Sequence, residues 1–184
     1  TDIEHLLGRG REITTRIESN VSAILRAHAS GTLDNTPRML DVARELETAV
    51  MMFADRLGAI QVVQEFDEVA QVRIPQDSLH HVVSNLIDNS LRAMGAQGTL
   101  TLSVQPRPDA VAVRISDTGG GVDPEVRPRL FDPILSARPG GSGLGLSTAQ
   151  RLARAWGGDL AYQPIPGGSA FEIVIPTSAR KEAP

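Results

Sequence analysis

One amphipathic segment constrains this chain more than any other. From about Gln76 to Met94 the apolar side chains recur in steps of three and four, which predicts a helix with a broad buried face. That face comprises Leu79, Val82, Val83, Leu86, Ile87, Ser90 and Leu91. Asn85 and Asn89 lie four positions apart beside it, so they share one helix face. The helix therefore packs against a core while carrying two amides at its inner edge.

The asparagine pair has two interpretations. A buried amide costs free energy unless it is paired, so the first is a polar edge at the protein surface. The second is a binding site, because an amide oxygen is a suitable ligand for Mg2+, which takes few protein ligands when phosphates supply the rest. Arg92 lies one turn beyond Asn89 and can reach a phosphate. The helix alone leaves both interpretations open.

The remaining segments alternate short strands with helices. Asp41 is a typical N-cap, and the helix that it begins is expected to end at Gly58 and to bury Val42, Leu46, Val50, Phe53 and Leu57. Strand patterns cover residues 60–66, 69–74, 100–104, 111–115, 160–162 and 170–175, and a last helix covers residues 143–156. The turn from Pro106 to Asp109 makes a hairpin. This order predicts an α+β fold, a two-layer α/β sandwich with one mixed sheet under three helices.

The first 33 residues have a different pattern. A seam with coiled-coil spacing runs through Ile3, Leu6, Gly10, Ile13, Ile17, Asn20, Ile24 and Ala27. We expect a helix that forms a homodimer, and the alternative is an amphipathic helix folded back on its own domain. The chain would then divide into this helix (1–33), a linker (34–40), a globular domain (41–178) and a tail (179–184).

The composition excludes several functions. A formal net charge of −4 and scattered arginines argue against a nucleic-acid partner. The absence of cysteine excludes thiol chemistry and permits a cytoplasmic location. No apolar run reaches the ~20 residues that a membrane span needs. We therefore expect contact with a membrane only through a longer parent chain.

Two glycine-rich segments accompany the asparagine pair. Asp117 ends an apolar strand before Thr-Gly-Gly-Gly121, so its carboxylate can accept a hydrogen bond from an amino group such as that of adenine. Gly119 and Gly121 let the backbone approach a flat ring. The segment from Gly141 to Leu146 opens a helix, whose first N–H groups can bind phosphate. Taken alone, the first segment can also be a simple turn at the end of a strand. The second, taken alone, is as consistent with a flexible loop as with phosphate binding.

Together these motifs resemble the ATP-binding domain of sensor histidine kinases, within the superfamily of gyrase, heat-shock chaperone, histidine kinase and MutL proteins. The N box is matched by Asn85 to Arg92, and the two glycine boxes by Asp117 to Val122 and by Gly141 to Leu146. The F box with its lid is matched by Phe131 to Arg138, and the closing strand by Gly167 to Pro176. The resemblance covers about residues 40 to 176 and is most like the nitrogen-regulation branch.

The resemblance implies a role for each polar motif residue. Asn89 would hold Mg2+, and Asn85 and Arg92 would contact the phosphates of ATP. Asp117 would bind the adenine amino group, directly or beside a water. Ser169, which stands where the family usually has Thr, would support Asp117.

The glycine boxes and the lid would supply the other nucleotide contacts. Arg138 stands where the family often has Lys and would lie near the γ-phosphate, whereas Ala137 stands where a hydroxyl-bearing residue is common. With Asn85 and Asn89, Arg138 would complete the catalytic set. The remaining contacts would come from Gly119, Gly121, Val122, Ser136, Gly141, Gly143, Leu144, Gly145 and Leu146.

Asn85 also indicates the type of reaction. In members of the superfamily that hydrolyse ATP, a glutamate four residues before the metal-binding asparagine activates water, and an amide there cannot act as a general base. The resemblance therefore implies transfer of the γ-phosphoryl group to a histidine on a dimerisation helix, since phosphoryl transfer depends chiefly on alignment and charge neutralisation. A receiver domain of a response regulator would be the next partner in the relay.

None of the four histidines is a good acceptor. His5 is followed by Leu-Leu-Gly, a poor match to the family pattern. His28 follows the last turns of the seam helix, and His80 and His81 lie on the N-box helix. We therefore expect residues 1–33 to be the second helix of a dimerisation hairpin, with the acceptor outside this chain. One alternative is a nucleotide-binding scaffold without transfer activity. Another is an anti-sigma-type serine kinase, against which the long F-box lid and the seam helix argue.

Overall fold

The structure is a computed structural model that describes residues 36–66, 70–132 and 144–177. Its helices and strands are β1 (Arg38–Asp41), α1 (Val42–Met51), α2 (Ala54–Leu57), β2 (Ala59–Phe66), β3 (Gln71–Ile74), α3 (Gln76–Met94), β4 (Gln97–Arg107), β5 (Ala110–Asp117), α4 (Gly145–Ala155), β6 (Asp159–Ile165) and β7 (Gly168–Pro176). A short 3-10 turn, Arg127–Arg129, lies between β5 and α4. Within the described residues, no helix is both long and apolar enough to cross a membrane.

Five strands form one mixed sheet in the order β2-β4-β5-β7-β6. β2 and β4 run parallel because α3 crosses between them, whereas the other neighbours are antiparallel. The hairpins β4–β5 and β6–β7 are closed by two-residue turns, the second containing Gly167 with φ +74°. In the register, Asp117 at the end of β5 lies opposite Leu100 on one side and Ser169 on the other.

The helices cover one face of this sheet, with an aliphatic core between the two layers. Val111, Val113 and Ile115 of β5 face the core, and Arg114 between them lies on the opposite face. The buried residues of α3 are all those that the periodicity predicts, together with Ser78. The predicted two-layer α+β fold with a mixed sheet is therefore confirmed.

The segment before this sheet differs from the prediction. Residues 38–40, assigned to the linker, belong to strand β1, which pairs with β3 in a separate two-stranded antiparallel sheet. Leu40 and Val72 face each other in this ladder and are both buried. The prediction was wrong here because the partner strand, β3, lies about 30 residues further along the chain. The local composition around residues 38–40 does not indicate this pairing.

The predicted helix from Asp41 to Leu57 is two helices. The Asp41 side chain caps the first as predicted, accepting a hydrogen bond from the N–H of Ala43 at 3.1 Å. The N–H of Phe53 then donates to the carbonyl of Val50, an i→i−3 bond that ends the α-helical ladder. The second helix ends at Gly58, also as predicted. Residues 1–33 and 179–184 lie outside the described residues, so the boundaries proposed for them stay predictions.

Candidate nucleotide-binding site

The predicted motifs meet where α3, the end of β5 and the start of α4 come together. α3 and α4 pack against each other on the sheet. The indole Nε1–H of Trp156, just after α4, donates to the Ser78 hydroxyl near the start of α3 at 3.2 Å. In the middle of α4, the Gln150 side chain donates to the carbonyl of Leu160 in β6 at 3.0 Å. These contacts fix the direction in which the glycine-rich start of α4 points.

Asp117 is a buried, hydrogen-bonded carboxylate of the site. Only 2% of the residue is exposed. The Ser90 hydroxyl on α3 donates to Oδ2 at 3.0 Å, and the backbone N–H of Gly119 donates to Oδ1 at 2.9 Å. Ser169, which is also buried, lies directly opposite on β7. The carboxylate is thus oriented from the helix layer and from its own loop, as recognition of one ligand group requires.

Ser90 is a structural neighbour of the candidate site for which the sequence predicts no such role. The apolar period of α3 predicts only that this position is buried. The structure buries it fully, with its hydroxyl on Asp117. A hydroxyl at the centre of an otherwise aliphatic face was the available signal, because a buried polar group needs a partner.

Asn85 lies against the start of α4. A Cβ added at Gly145 would be 3.5 Å from the Asn85 Oδ1, so the N-box helix and the second glycine box meet here. The Nδ2 of Asn85 is buried and has no hydrogen-bond partner among the described residues. No side chain within residues 144–177 caps the first turn of α4. An anionic oxygen within reach of Nδ2 and of the start of α4 would accept hydrogen bonds from the amide and from the first backbone N–H groups.

Asn89 and Arg92 continue the same face of α3. Asn89 is half-buried one turn beyond Asn85. The Arg92 side chain is 54% exposed, and its Nε lies 2.8 Å from Oδ2 of Asp88. The other carboxylate oxygen of Asp88 accepts a hydrogen bond from Nη1 of Arg56 in α2 at 2.7 Å. Arg92, the predicted phosphate ligand, therefore belongs to an ion-pair network that includes Arg56, a residue outside the N box.

The first glycine box is held by packing as well as by hydrogen bonds. A Cβ added at Gly119 would be 2.5 Å from the Cβ of Ala93, so this glycine lets the loop lie against the last turn of α3. Gly121 has φ +82°, which favours glycine. The carbonyl of Val122 accepts a hydrogen bond from Nε of Arg127 at 2.9 Å. The sequence suggests that Gly119 lets the backbone approach a flat ring. The structure adds that a side chain at this position would collide with Ala93.

The other predicted contacts divide into two groups. Leu144, Gly145 and Leu146 are half-buried where α4 begins. The lid and the start of the second glycine box, with Ser136, Ala137, Arg138, Gly141 and Gly143, lie outside the described residues.

The two histidines of α3, His80 and His81, are not among the motif residues. His80 Nε2 is 2.5 Å from the Glu45 carboxylate of α1, which ties the two helices together. Desolvation lowers the pKa of His81 below its ordinary value. Among the described residues, no group of three or more His, Cys, Asp and Glu side chains could hold a metal ion.

Comparison with known proteins places this site in a family. Residues 74–179 match the family of histidine kinase-, DNA gyrase B- and HSP90-like ATPases. The chain is 29% identical over 134 residues to the signal transduction histidine-protein kinase AtoS of Escherichia coli K12, covering 71% of this chain and 22% of AtoS. It is 27% identical over 177 residues to the sensory histidine kinase/phosphatase NtrB of Escherichia coli O157:H7, covering 90% of this chain and 50% of NtrB.

Solved structures share the fold. The catalytic domain of histidine kinase ThkA superposes with a TM-score of 0.73 at 21% identity, over 77% of this chain and 95% of that domain. Full-length ShkA in complex with AMPPNP superposes with a TM-score of 0.73 at 22% identity, over 90% of this chain and 37% of ShkA. The family match covers more than half of the chain, including the asparagine pair, Asp117 and both glycine boxes. The chain therefore belongs to the family of histidine kinase-, DNA gyrase B- and HSP90-like ATPases.

Proposed function

We propose that this chain is the ATP-binding catalytic part of a two-component sensor histidine kinase, which transfers the γ-phosphoryl group of ATP to a histidine on a dimerisation helix. One observation carries the proposal. The Nδ2 of Asn85 is buried without a partner among the described residues. The Oδ1 of the same amide would lie 3.5 Å from a Cβ added at Gly145, at the start of α4, where helix N–H groups converge. A buried donor without an acceptor costs about 1 to 3 kcal/mol, and a phosphate oxygen would remove that cost.

Asp117 would select adenine. Its two oxygens are oriented by Ser90 and Gly119, and the residue is almost wholly buried at the end of β5. A buried carboxylate accepts from the exocyclic amino group of adenine, whereas the carbonyl of guanine at that position would face it with a second acceptor. Ser169, opposite Asp117 in the sheet, would support the carboxylate or a water beside it.

Asn89, Asn85 and Arg92 would serve the phosphate chain together with the start of α4. The amide oxygen of Asn89 fits Mg2+, a hard cation that takes few protein ligands when phosphates supply the others. When bound, Mg2+ would neutralise charge on the phosphate oxygens. Arg138 and Ser136 of the lid, with the glycines before α4, would complete the contacts to the nucleotide.

The same arrangement favours transfer over hydrolysis. Asn85 stands where ATP-hydrolysing relatives carry the glutamate that activates water, and an amide cannot take that proton. A site that aligns the phosphate chain without a base needs an external nucleophile. We infer that this nucleophile is a histidine imidazole of a longer parent protein, because the chain spans 22% and 50% of the length of two curated relatives that it matches.

The parent would act as a dimer in the cytoplasm. Residues 1–33 would supply the second helix of the dimerisation hairpin, because their apolar seam has coiled-coil spacing. The receiver domain of a response regulator would then take the phosphoryl group on an aspartate. The sensor histidine kinases among the relatives support this assignment.

Nucleotide binding is tested by titrating the chain with ATP and with GTP by calorimetry, in Mg2+ and in EDTA. We expect binding of ATP that is stronger with Mg2+, and a loss of binding in Asp117→Asn. The matched control is Asp109→Asn, which changes the same charge in the exposed β4–β5 turn. Absence of ATP binding by the wild-type chain, or ATP binding that Asp117→Asn leaves unchanged, would contradict the proposal.

Transfer is tested by mixing this chain with its full-length parent carrying Asn89→Ala and with γ-labelled ATP. The parent variant lacks its own metal ligand, so label on a parent histidine must come from this chain. Phosphohistidine is recognised by its lability in acid and stability in base. ATP binding without any labelled parent would favour the alternative function, a nucleotide-binding scaffold.

A further inference from the structure

Asp88, which lies between the two motif asparagines, binds two arginines at once. Its Oδ2 is 2.8 Å from Nε of Arg92, and its Oδ1 accepts from Nη1 of Arg56 at 2.7 Å. The Asp88 side chain is 28% exposed, whereas the arginine side chains are 54% and 48% exposed. We call these three residues the Asp88 bridge. It is the point where α2 is ionically joined to α3.

Asp88 contacts Arg92 through Nε rather than through the terminal amino groups. Within the described residues, no hydrogen bond or ion pair engages Nη1 or Nη2 of Arg92. Helix geometry sets Asn85, Asn89 and Arg92 on one face, four and then three positions apart, with Asp88 at its flank. A guanidinium held through Nε can turn less freely, and its Nη pair keeps one direction. That constraint lowers the entropy that a phosphate contact would have to remove.

Arg56 offsets the charge that this constraint introduces. A carboxylate one residue before the metal-binding asparagine repels phosphates, unless a second cation neutralises it. Arg56 supplies that cation, and its guanidinium carbon lies 5.3 Å from the centroid of the Phe53 ring, a cation–π contact that fixes it in turn. Two guanidinium groups and one carboxylate leave the bridge with an excess of one positive charge.

From this geometry we propose that Asp88 is a positioning residue for the phosphate contact of Arg92, and that Arg56 is its charge-compensating partner. The proposal rests on the proposed function, because it takes Arg92 as a phosphate ligand. It assigns roles to two residues outside that ligand set. It also makes α2 part of the nucleotide site, although α2 contributes no motif residue.

Calorimetric titration with ATP and with AMP separates this role from a general structural one. We expect Asp88→Asn to weaken ATP binding by about threefold to fivefold, the range of a partly exposed ion pair. AMP binding should change less, because AMP carries one phosphate and offers Arg92 less negative charge than ATP does. Arg56→Gln should weaken ATP binding as well, with an effect that shrinks as salt is raised. Asp55→Asn, which alters the neighbouring exposed carboxylate of α2, is the matched control.

The decisive comparison is made in the Arg92→Ala background. If Asp88 acts through Arg92, Asp88→Asn should have no further effect on ATP binding there. An equal loss in both backgrounds, an equal loss for ATP and AMP, or tighter ATP binding in Asp88→Asn would each overturn the proposal. A wild-type chain that binds no ATP would instead refute the proposed function. If Arg92→Ala binds ATP as tightly as the wild-type chain does, Arg92 is not a phosphate ligand. That result would refute the positioning role of Asp88 but not the nucleotide site.

Discussion

The hydrogen bond from Ser90 to Asp117 can be removed by deleting one oxygen atom. Both residues are buried, at 0% and 2% exposure, and the bond is 3.0 Å long. Removing a donor from a buried carboxyl group costs about 1 to 3 kcal/mol. Alanine is the better helix former by about 0.5 kcal/mol, which reduces the net loss expected for Ser90→Ala to about 0.5 to 2.5 kcal/mol.

Urea denaturation followed by circular dichroism measures this loss of unfolding free energy. Ser84→Ala is the control, because Ser84 is half-buried on the same helix and has the same gain in helix propensity. The difference in unfolding free energy between the two variants therefore isolates the hydrogen bond. Equal unfolding free energies for Ser84→Ala and Ser90→Ala would refute the reasoning.

The same substitution tests the link between the bond and the site. Without Ser90, one oxygen of Asp117 loses a restraint, so we expect weaker ATP binding by about fivefold or more, from the lower part of the same energy range. ATP binding equal to that of Ser84→Ala would show that Gly119 and the other neighbours of Asp117 suffice to orient it.

Three further substitutions probe the frame of the site. Gly119→Ala places a methyl group against the last turn of α3 and should lower the unfolding free energy by about 1 to 3 kcal/mol in urea denaturation; an unchanged midpoint would contradict this packing. Arg127→Gln removes the bond to the Val122 carbonyl, so the dissociation constant for ATP measured by calorimetry should rise, while a Gln substitution at exposed Arg129 leaves it unchanged. Equal dissociation constants for the two variants would contradict the role of Arg127. Trp156→Phe loses the bond to Ser78 and should cost about 0.5 to 1.5 kcal/mol of unfolding free energy, and no loss would show that packing alone joins the two helices.

Local periodicity and motif spacing predicted most of the frame. α3 and its buried face follow from the apolar steps of three and four, and the N-cap at Asp41 follows from side-chain chemistry. The β1–β3 ladder could not be predicted, because its strands are short and their pairing depends on a distant partner. The bond from Ser90 to Asp117 joins residues 27 positions apart, so only the structure could identify the partner. A buried hydroxyl in an aliphatic face could at least have indicated that a partner exists.

The Asp88 bridge was beyond prediction for a related reason. The pairing of Asp88 with Arg92 follows from helix spacing, but that with Arg56 depends on the chain breaking into two helices before Gly58. The predicted single helix would have placed Arg56 differently. Site residues that lie within one element are therefore visible in the sequence, whereas their supporting partners in other elements are not.

The contact between Trp156 and Ser78 gives the protein an optical reporter of its own. Trp156 is the only tryptophan in the chain, so the whole indole emission comes from the seam between α3 and α4. The two helices that carry the N box and the second glycine box cannot separate without exposing this ring to water. A shift of emission to longer wavelength during titration would therefore report parting of the helices, and an unshifted spectrum would report that nucleotide enters a seam that stays closed.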